Sequence, residues 1–321
     1  MKVLVVGHIH QDGINLLQAR SDITVEITEA HNESDLVTRV HDADAILVRS
    51  ALITSSIIEA APLLKVVSRH GVGFNSVDVQ ALTARRIPLT IAVGGNAVSV
   101  AEHTLYLILA LAKQGQRYDT AARQGDFSFR NAPIAREIET SELLVIGFGR
   151  IGTQVTRRAL AFGMAVHVYD PYVPDSVIED QGAYFVRNLH DTLPQIDVVS
   201  VHCPLNEETK HLIGSYELSL MKPSALLINT ARGGIVDETA LHSVLLQEKI
   251  AGAGIDVFVT EPTNPSLNLL ELENVVVSPH CAGVTVESSA RTARIAAQNA
   301  LDGLDSTLDE VYVVNREVLL H

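Results

Sequence analysis

Short apolar runs and helix-length amphipathic stretches alternate along nearly the whole chain. Met1–Gly7 reads as a buried strand, and further apolar runs recur at Ala45–Val48, Lys65–Val67 and Leu89–Ile91. Helical spacing falls between them, at Gly13–Ala19 and Ser55–Ala60. Strands that alternate with helices predict βαβ units and a mostly parallel sheet. From Asn96 through Gly125 few breakers occur, which predicts one extended helix long enough to cross between domains. A second alternating series follows at 143–147, 165–170, 198–202, 225–229, 252–258 and 275–279. Six strand candidates in this order match a complete doubly wound dinucleotide-binding sheet. Gln124–Pro133 reads as a loop, and from about Glu287 the pattern is helical again before a short tail. No internal repeat and no low-complexity tract interrupts the series.

Length and composition sharpen this picture. At 321 residues and 34.7 kDa the chain exceeds the size at which a single core usually stops growing, so two domains are expected. Its 47% hydrophobic content supports real cores, while the longest uncharged apolar stretch, Thr104–Ala112, is too short to span a bilayer. A soluble protein is expected, and the opening MKVLVVG runs straight into a strand with no separate signal-peptide core. Two cysteines, Cys203 and Cys281, make no disulfide framework, which fits a reducing, cytoplasmic compartment. A net charge of -14 without any basic run argues against nucleic-acid binding. Anion binding would then depend on a few placed cations or helix N-termini.

The strongest chemical signal is Gly147-Phe148-Gly149-Arg150-Ile151-Gly152, set directly between an apolar strand and a helix. The first glycine permits a tight turn, the second lets backbone approach a pyrophosphate, and the third allows close helix packing. Asp170 ends the next strand, 23 residues after Gly147. An acid there accepts from ribose hydroxyls and repels a 2′-phosphate, so NAD is favoured over NADP. A bare glycine turn without a ligand would lack this combination of strand, helix and downstream acid.

Hydride transfer to a carbonyl needs a proton donor, a cation for developing negative charge, and a group that holds the donor. All three residue types stand at predicted strand ends: Arg232 after ALLINTA, Glu261 closing GIDVFVTEP, and His280 closing VVVSPH. A carboxylate beside a histidine favours the imidazolium and makes a competent acid for reduction and base for oxidation. Singly, Arg232 could be an ion-pair partner, Glu261 a turn residue and His280 a loop histidine. His8 and His10, two apart on an extended segment, have no third ligand nearby, so no metal is expected. His103 and His167 fit packing or surface roles.

The strings GFGRIG, YDPY, VHCPL, INTARGGIVDE, GAGIDVF and SPHCAGVT together resemble the D-specific 2-hydroxyacid dehydrogenases, and the likeness covers nearly the whole chain. The resemblance implies that Arg232 clamps the substrate carboxylate and carbonyl, that His280 is the acid–base, and that Glu261 tunes it. It implies that Asp256 faces the nicotinamide amide and that Cys203, Thr230, Ala231 and Gly283 line the cofactor with the glycine turn. Ser68–Gly73 resembles the family's substrate loop, which places Arg69, His70, Val72 and Gly73 among substrate contacts, with Arg49 and Asn96. The implied fold is two Rossmann-like doubly wound parallel-sheet domains, with the cofactor domain at 99–286 inserted into a discontinuous substrate domain of 1–98 and 287–321. A homodimer through the inserted domain is the partner expected.

Thr140-Ser141-Glu142 replaces the family's usual Gly-Lys-Thr turn, Leu144 stands where glycine is common, and Phe74-Asn75-Ser76 replaces the usual Asp-Asn. The last of these bears on substrate identity rather than reaction type. Val48-Arg49-Ser50 and Leu64–Arg69 resemble the phosphoglycerate dehydrogenase branch, where two arginines suit a doubly charged three-carbon acid such as 3-phosphoglycerate. Hydroxypyruvate or glyoxylate reductases share the compact length, so both substrate types stay open. An NAD-sensing binding module of the same fold also keeps the triad. A formate dehydrogenase would commonly carry Gln in place of Glu261.

Overall fold

The computed structural model describes residues 1–30, 32–264 and 267–319. The chain divides into two compact units, one of Met1–Asn96 with Val284–His321 and one of Ala97–Gly283, so the second is inserted into the first. The crossings fall two and three residues before the expected boundaries, the first at the start of the helix Ala97–Ala112 and the second ahead of the capping residue Thr285 of the last helix. Leu320 and His321, the end of the expected substrate domain, lie outside the described residues.

The first unit opens with β1 (Lys2–Val6), α1 (Gln11–Gln18), β2 (Thr24–Thr28), α2 (Glu33–Arg39), β3 (Ala45–Val48), α3 (Ser55–Glu59), β4 (Val66–Arg69), α4 (Val79–Ala84) and β5 (Leu89–Ile91). Its five strands lie in the order β2-β1-β3-β4-β5, all paired in parallel. Val3–Val6 and Ala45–Val48 are wholly buried, since both sheet faces are covered, and this is why they read as unbroken apolar runs. β2 was not expected. As an edge strand it alternates Thr-Val-Glu-Ile-Thr with Ile27 50% exposed, a pattern too polar and short to stand out.

The second unit begins with α5 (Ala97–Ala112) and α6 (Gly115–Arg123) rather than one extended helix. Gln114 adopts φ +53 between them, and its side-chain amide donates to the Leu111 carbonyl at 3.0 Å, closing the first helix. Gly115 follows, with no side chain to favour continuation. The series continues through β6 (Glu142–Ile146), α7 (Arg150–Ala161), β7 (Ala165–Tyr169), α8 (Asp175–Glu179), β8 (Tyr184–Phe185), α9 (Leu189–Thr192), β9 (Val198–Val201), α10 (Ser215–Leu220), β10 (Leu226–Asn229), α11 (Glu238–Leu246), β11 (Gly252–Ile255) and β12 (Val275–Val277). The sheet order is β12-β11-β10-β9-β6-β7-β8, again parallel throughout. The two-residue β8 adds a seventh strand beyond the six expected. Strand order reverses at β6, which opens a crevice at its carboxyl end.

The chain returns to the first unit with α12 (Val286–Asp305), whose Ala293, Ala296, Ala297 and Ala300 are fully buried. These small residues let the helix backbone approach the sheet: Ser68 Oγ donates to the Ala296 carbonyl at 2.8 Å, and a Cβ on Gly303 would lie 2.6 Å from Val66 Cβ. The final segment is pinned by the buried Asn315. Its Oδ1 accepts from Leu89 N at 2.8 Å, and its Nδ2 donates to the Ile87 carbonyl at 2.9 Å and Thr83 Oγ1 at 3.0 Å. Asn315→Ala strands these buried groups and is expected to lower stability by about 1–3 kcal/mol, read as a reduced denaturant midpoint with faster amide exchange in β5.

Candidate functional site

The turn after β6 is built by three glycines with different duties. Gly147 has φ +96, and a Cβ on it would sit 2.7 Å from Cys203 N, so the turn and the loop after β9 meet backbone to backbone. A Cβ on Gly149 would meet nothing within 4 Å, which leaves its backbone open to a ligand. A Cβ on Gly152 would fall 2.0 Å from the Gly147 carbonyl oxygen, so α7 can start beside the turn only without a side chain there. Arg150 and Ile151 open α7, Arg150 exposed and Ile151 packed against the sheet. The free amides of this helix end suit a pyrophosphate. Beyond β7, Asp170 accepts from Phe148 N at 2.8 Å and Tyr172 N at 2.9 Å, one amide on each carboxylate oxygen. Each oxygen retains acceptor capacity for a ribose hydroxyl.

The neighbouring loops follow β9, β10 and β12. Burial first, and Asp170 after it, push the Cys203 thiol up to about 11, so it is an uncharged surface. Thr230 is buried, with its hydroxyl shared with Thr104 of α5 at 3.0 Å, and Ala231 beside it is 8% exposed. The Gly283 position closes the second unit.

His280 and Glu261 form a direct pair, with Nδ1 2.7 Å from Oε2. Glu261 is held from the other side by Phe258 N, which donates to Oε1 at 3.0 Å. His280 itself has φ +52, a left-handed conformation that a side chain disfavours. Asp256 stabilises that turn. Its carbonyl accepts from His280 N at 2.8 Å, Oδ1 accepts from Ser278 Oγ at 2.6 Å and Cys281 N at 2.9 Å, and Oδ2 accepts from Ala282 N at 3.0 Å. At 1% exposure, Asp256 thus holds the His280 turn, with acceptor capacity left on Oδ2 alone. Arg232 stands after β10, where Asn229 Nδ2 donates to its carbonyl at 2.9 Å and its own Nη1 donates to the Ala231 carbonyl at 2.7 Å. A Cβ on the next residue, Gly233, would lie 2.1 Å from the Phe258 carbonyl group, so the Arg232 and Glu261 loops are in backbone contact.

The substrate residues expected in the first unit gather at the carboxyl ends of β3 and β4, whose Val48 and Arg69 are in register. Arg49 Nη1 donates to the His8 carbonyl at 2.9 Å, and Arg69 Nη1 donates to the His70 carbonyl. Burial first, then the facing charges of Arg49 and Arg69, push the His70 imidazole down to about 4, so it is neutral near pH 7. Gly71 has φ +140, Val72 is 38% exposed, and Gly73 is half-buried in the same loop. Asn96 is the last residue of the unit before the crossing. His10 caps α1, its Nδ1 accepting from Asp12 N at 3.2 Å.

Sequence reasoning missed the support behind these groups. His103 of α5 meets Ser278 Oγ at 2.8 Å, and because Ser278 donates onward to Asp256, His103 Nε2 carries the hydrogen toward the serine. Ser278 could have been noticed as the residue two before His280; His103, inside an apolar helix, carried no signal. The pairing of Tyr172 with Glu208 was equally silent, because it joins loops 36 residues apart.

These features define a class: a two-unit α/β protein whose inserted Rossmann sheet presents a dinucleotide cradle and an imidazole–carboxylate pair on one edge. The family model "D-isomer specific 2-hydroxyacid dehydrogenase, NAD binding domain" matches residues 105–282. The chain belongs to the D-isomer-specific 2-hydroxyacid dehydrogenase family. It is 37% identical over 313 residues to a D-3-phosphoglycerate dehydrogenase of Methanocaldococcus jannaschii, covering 97% of this chain and 59% of that protein. Thus it spans about three-fifths of that relative's length. A glyoxylate reductase of Korarchaeum cryptofilum is 35% identical, with 94% of this chain and 92% of that protein covered. The solved D-lactate dehydrogenase of Aquifex aeolicus, complexed with NAD and lactic acid, is 31% identical with a TM-score of 0.86 over 98% of this chain and 99% of that one. Among the described residues no helix is long and apolar enough to cross a membrane.

Beside the glycine turn, burial pushes the His202 imidazole down to about 3; Nε2 meets Ser200 Oγ at 2.8 Å while Nδ1 is enclosed. An unfolded histidine titrates near 6.5, so below that pH the unfolded chain takes a proton the folded one refuses. Stability is then complete above about pH 6.5 and falls toward pH 3, by up to about 1.4 kcal/mol per pH unit from this residue. His202→Gln is expected to flatten that slope in denaturant titrations between pH 6.5 and 4.

Proposed function

We propose that the protein is an NAD-dependent oxidoreductase interconverting a D-2-hydroxyacid and its 2-oxoacid, acting on a doubly anionic three-carbon acid such as 3-phosphoglycerate. The observation that carries this reading is the 2.7 Å contact of His280 Nδ1 with Glu261 on the edge that also bears the glycine turn. The open backbone at Gly149, the tight turn at Gly147 and the free acceptor capacity of Asp170 suit the dinucleotide. NAD, when bound, supplies or accepts the hydride. With Nδ1 committed to Glu261, His280 Nε2 is the atom that gives a proton to the 2-oxoacid oxygen in reduction and removes it from the hydroxyl in oxidation. Glu261 orients the ring and stabilises its charged form. Arg232 holds the substrate carboxylate and carbonyl in a two-pronged grip; the Ser68–Gly73 loop of the first unit carries main-chain amides suited to an anion.

Arg49 and Arg69 support the doubly anionic substrate. They are the fixed cations at this edge, since His70 between them is neutral. The phosphoglycerate dehydrogenase relative supports the same choice, while the glyoxylate reductase relative supports a plain 2-oxoacid as the second reading. The reading includes a homodimer through the second unit, supported there by the exposed Tyr106 (55%) and Phe127 (71%). It also includes a cytoplasmic location, supported by two free thiols.

His280→Ala is expected to lower kcat by about 10²–10⁴-fold while NADH still binds in a fluorescence titration; near-normal turnover would remove His280 from the acid–base role. NADH oxidation should be strongest with phosphohydroxypyruvate or sulfopyruvate in a panel that includes hydroxypyruvate, glyoxylate and pyruvate. Arg49→Ala should raise KM for the doubly anionic acid by about 10-fold or more with little change for glyoxylate. Turnover of none, with NADH bound, would favour a nucleotide-sensing module.

A further inference from the structure

The ribose-side acid is not the only anion at the carboxyl edge of the second sheet. Tyr172, two residues beyond Asp170, is 76% exposed, yet its hydroxyl donates to the Glu208 carboxylate. Both ends of this contact are fixed by their own loops. Tyr172 N donates to Asp170 Oδ1 at 2.9 Å. Glu208 stands in a turn organised by Asn206, whose Oδ1 accepts from Glu208 N and Thr209 N, each at 3.0 Å, while Thr209 Oγ1 donates to the Pro204 carbonyl at 2.6 Å.

The two loops follow β7 and β9, the strands that flank β6, and the glycine turn lies between them. The Tyr172–Glu208 contact therefore bridges the crevice on the side where Asp170 marks the adenosine ribose. The charges around the bridge have one sign at the tyrosine. Its hydroxyl is held above the usual range first by the hydrogen bond and charge of Glu208 and further by Asp170. Lys210 is two residues from Glu208 and Arg150 opens α7, but neither stands in the Asp170–Tyr172 turn itself. The loops on both sides of the glycine turn thus each carry a carboxylate, and both charges oppose a phosphate on the ribose 2′-oxygen.

We propose that Glu208, held by Tyr172, is a second determinant of the choice of NAD over NADP, acting with Asp170 to exclude the 2′-phosphate. The inference rests on the NAD-dependent reading above. It implies that removing Asp170 alone leaves part of the discrimination in place.

NADH and NADPH titrations of the full chain, followed by nucleotide fluorescence at low and high salt, test this with Glu208→Gln, Tyr172→Phe, Asp170→Ala and the Asp170→Ala/Glu208→Gln pair. Glu208→Gln keeps an acceptor for the tyrosine and removes only the charge. It should leave NADH affinity within about twofold and tighten NADPH about fivefold or more at low salt, a gain that shrinks as salt rises. The double variant should bind NADPH more tightly than Asp170→Ala. Tyr172→Phe, which keeps the charge but frees it, should give a smaller gain for NADPH than Glu208→Gln. Unchanged NADPH affinity in Glu208→Gln, with NADH still bound, would overturn the proposal and leave the NAD reading standing. Equal weakening of both nucleotides would also overturn it, by making Glu208 a structural tie. Failure of the wild type to bind either nucleotide would overturn the NAD reading and this inference together.

Discussion

Parallel strand direction governs the second unit, because each strand must be followed by a crossover back to the starting edge and so each following loop opens at the same edge. Gly147 follows β6, Asp170 follows β7, Cys203 and Glu208 follow β9, Arg232 follows β10, Asp256 and Glu261 follow β11, and His280 follows β12. Residues spread over more than 130 positions are thereby collected without any one segment carrying the site. The reversal of order at β6 does the rest, since it parts the loops of β7 and β9 around the glycine turn.

Within that edge, Asp256 is the organising charge. A buried carboxylate is costly unless donors surround it, and here Ser278, Cys281 and Ala282 provide them. The same contacts compensate the left-handed backbone of His280, so satisfying one buried group also fixes the orientation of another. His103 extends the network into α5, which ties the histidine turn to the helix that opens the unit. Glu261 is fixed in the same manner from the Phe258 amide, leaving its second oxygen for His280.

The first unit follows another logic. Its sheet is covered on one face by α12, whose residues arrive after the whole second unit has been built. Alanine and glycine at the contact, with Ser68 bonded to the helix carbonyl of Ala296, allow a close packing that larger side chains would prevent. Asn315 closes the arrangement by bonding main-chain groups at and just before the start of β5, beside the Thr90–Val313 bridge.

Much of this was legible in the chain itself. Buried parallel strands must be apolar on both faces, so β1, β3, β6, β9 and β10 announced themselves, and the glycine turn was readable because backbone contact tolerates no side chain at Gly147 or Gly152. Arg232, Glu261 and His280 were visible as candidates at strand ends, with their roles implied only by the family resemblance of the strings around them. Edge strands such as β2 and β8 were hidden, since partial exposure erases the apolar run. The helix break at Gln114 was hidden too, because a left-handed residue leaves little mark when it is not glycine. What tertiary structure alone decided was pairing. Glu261 with His280, Asp256 with the turn it holds, and Tyr172 with Glu208 each join separate loops, and a pattern along one dimension carries no information about distances across the sheet.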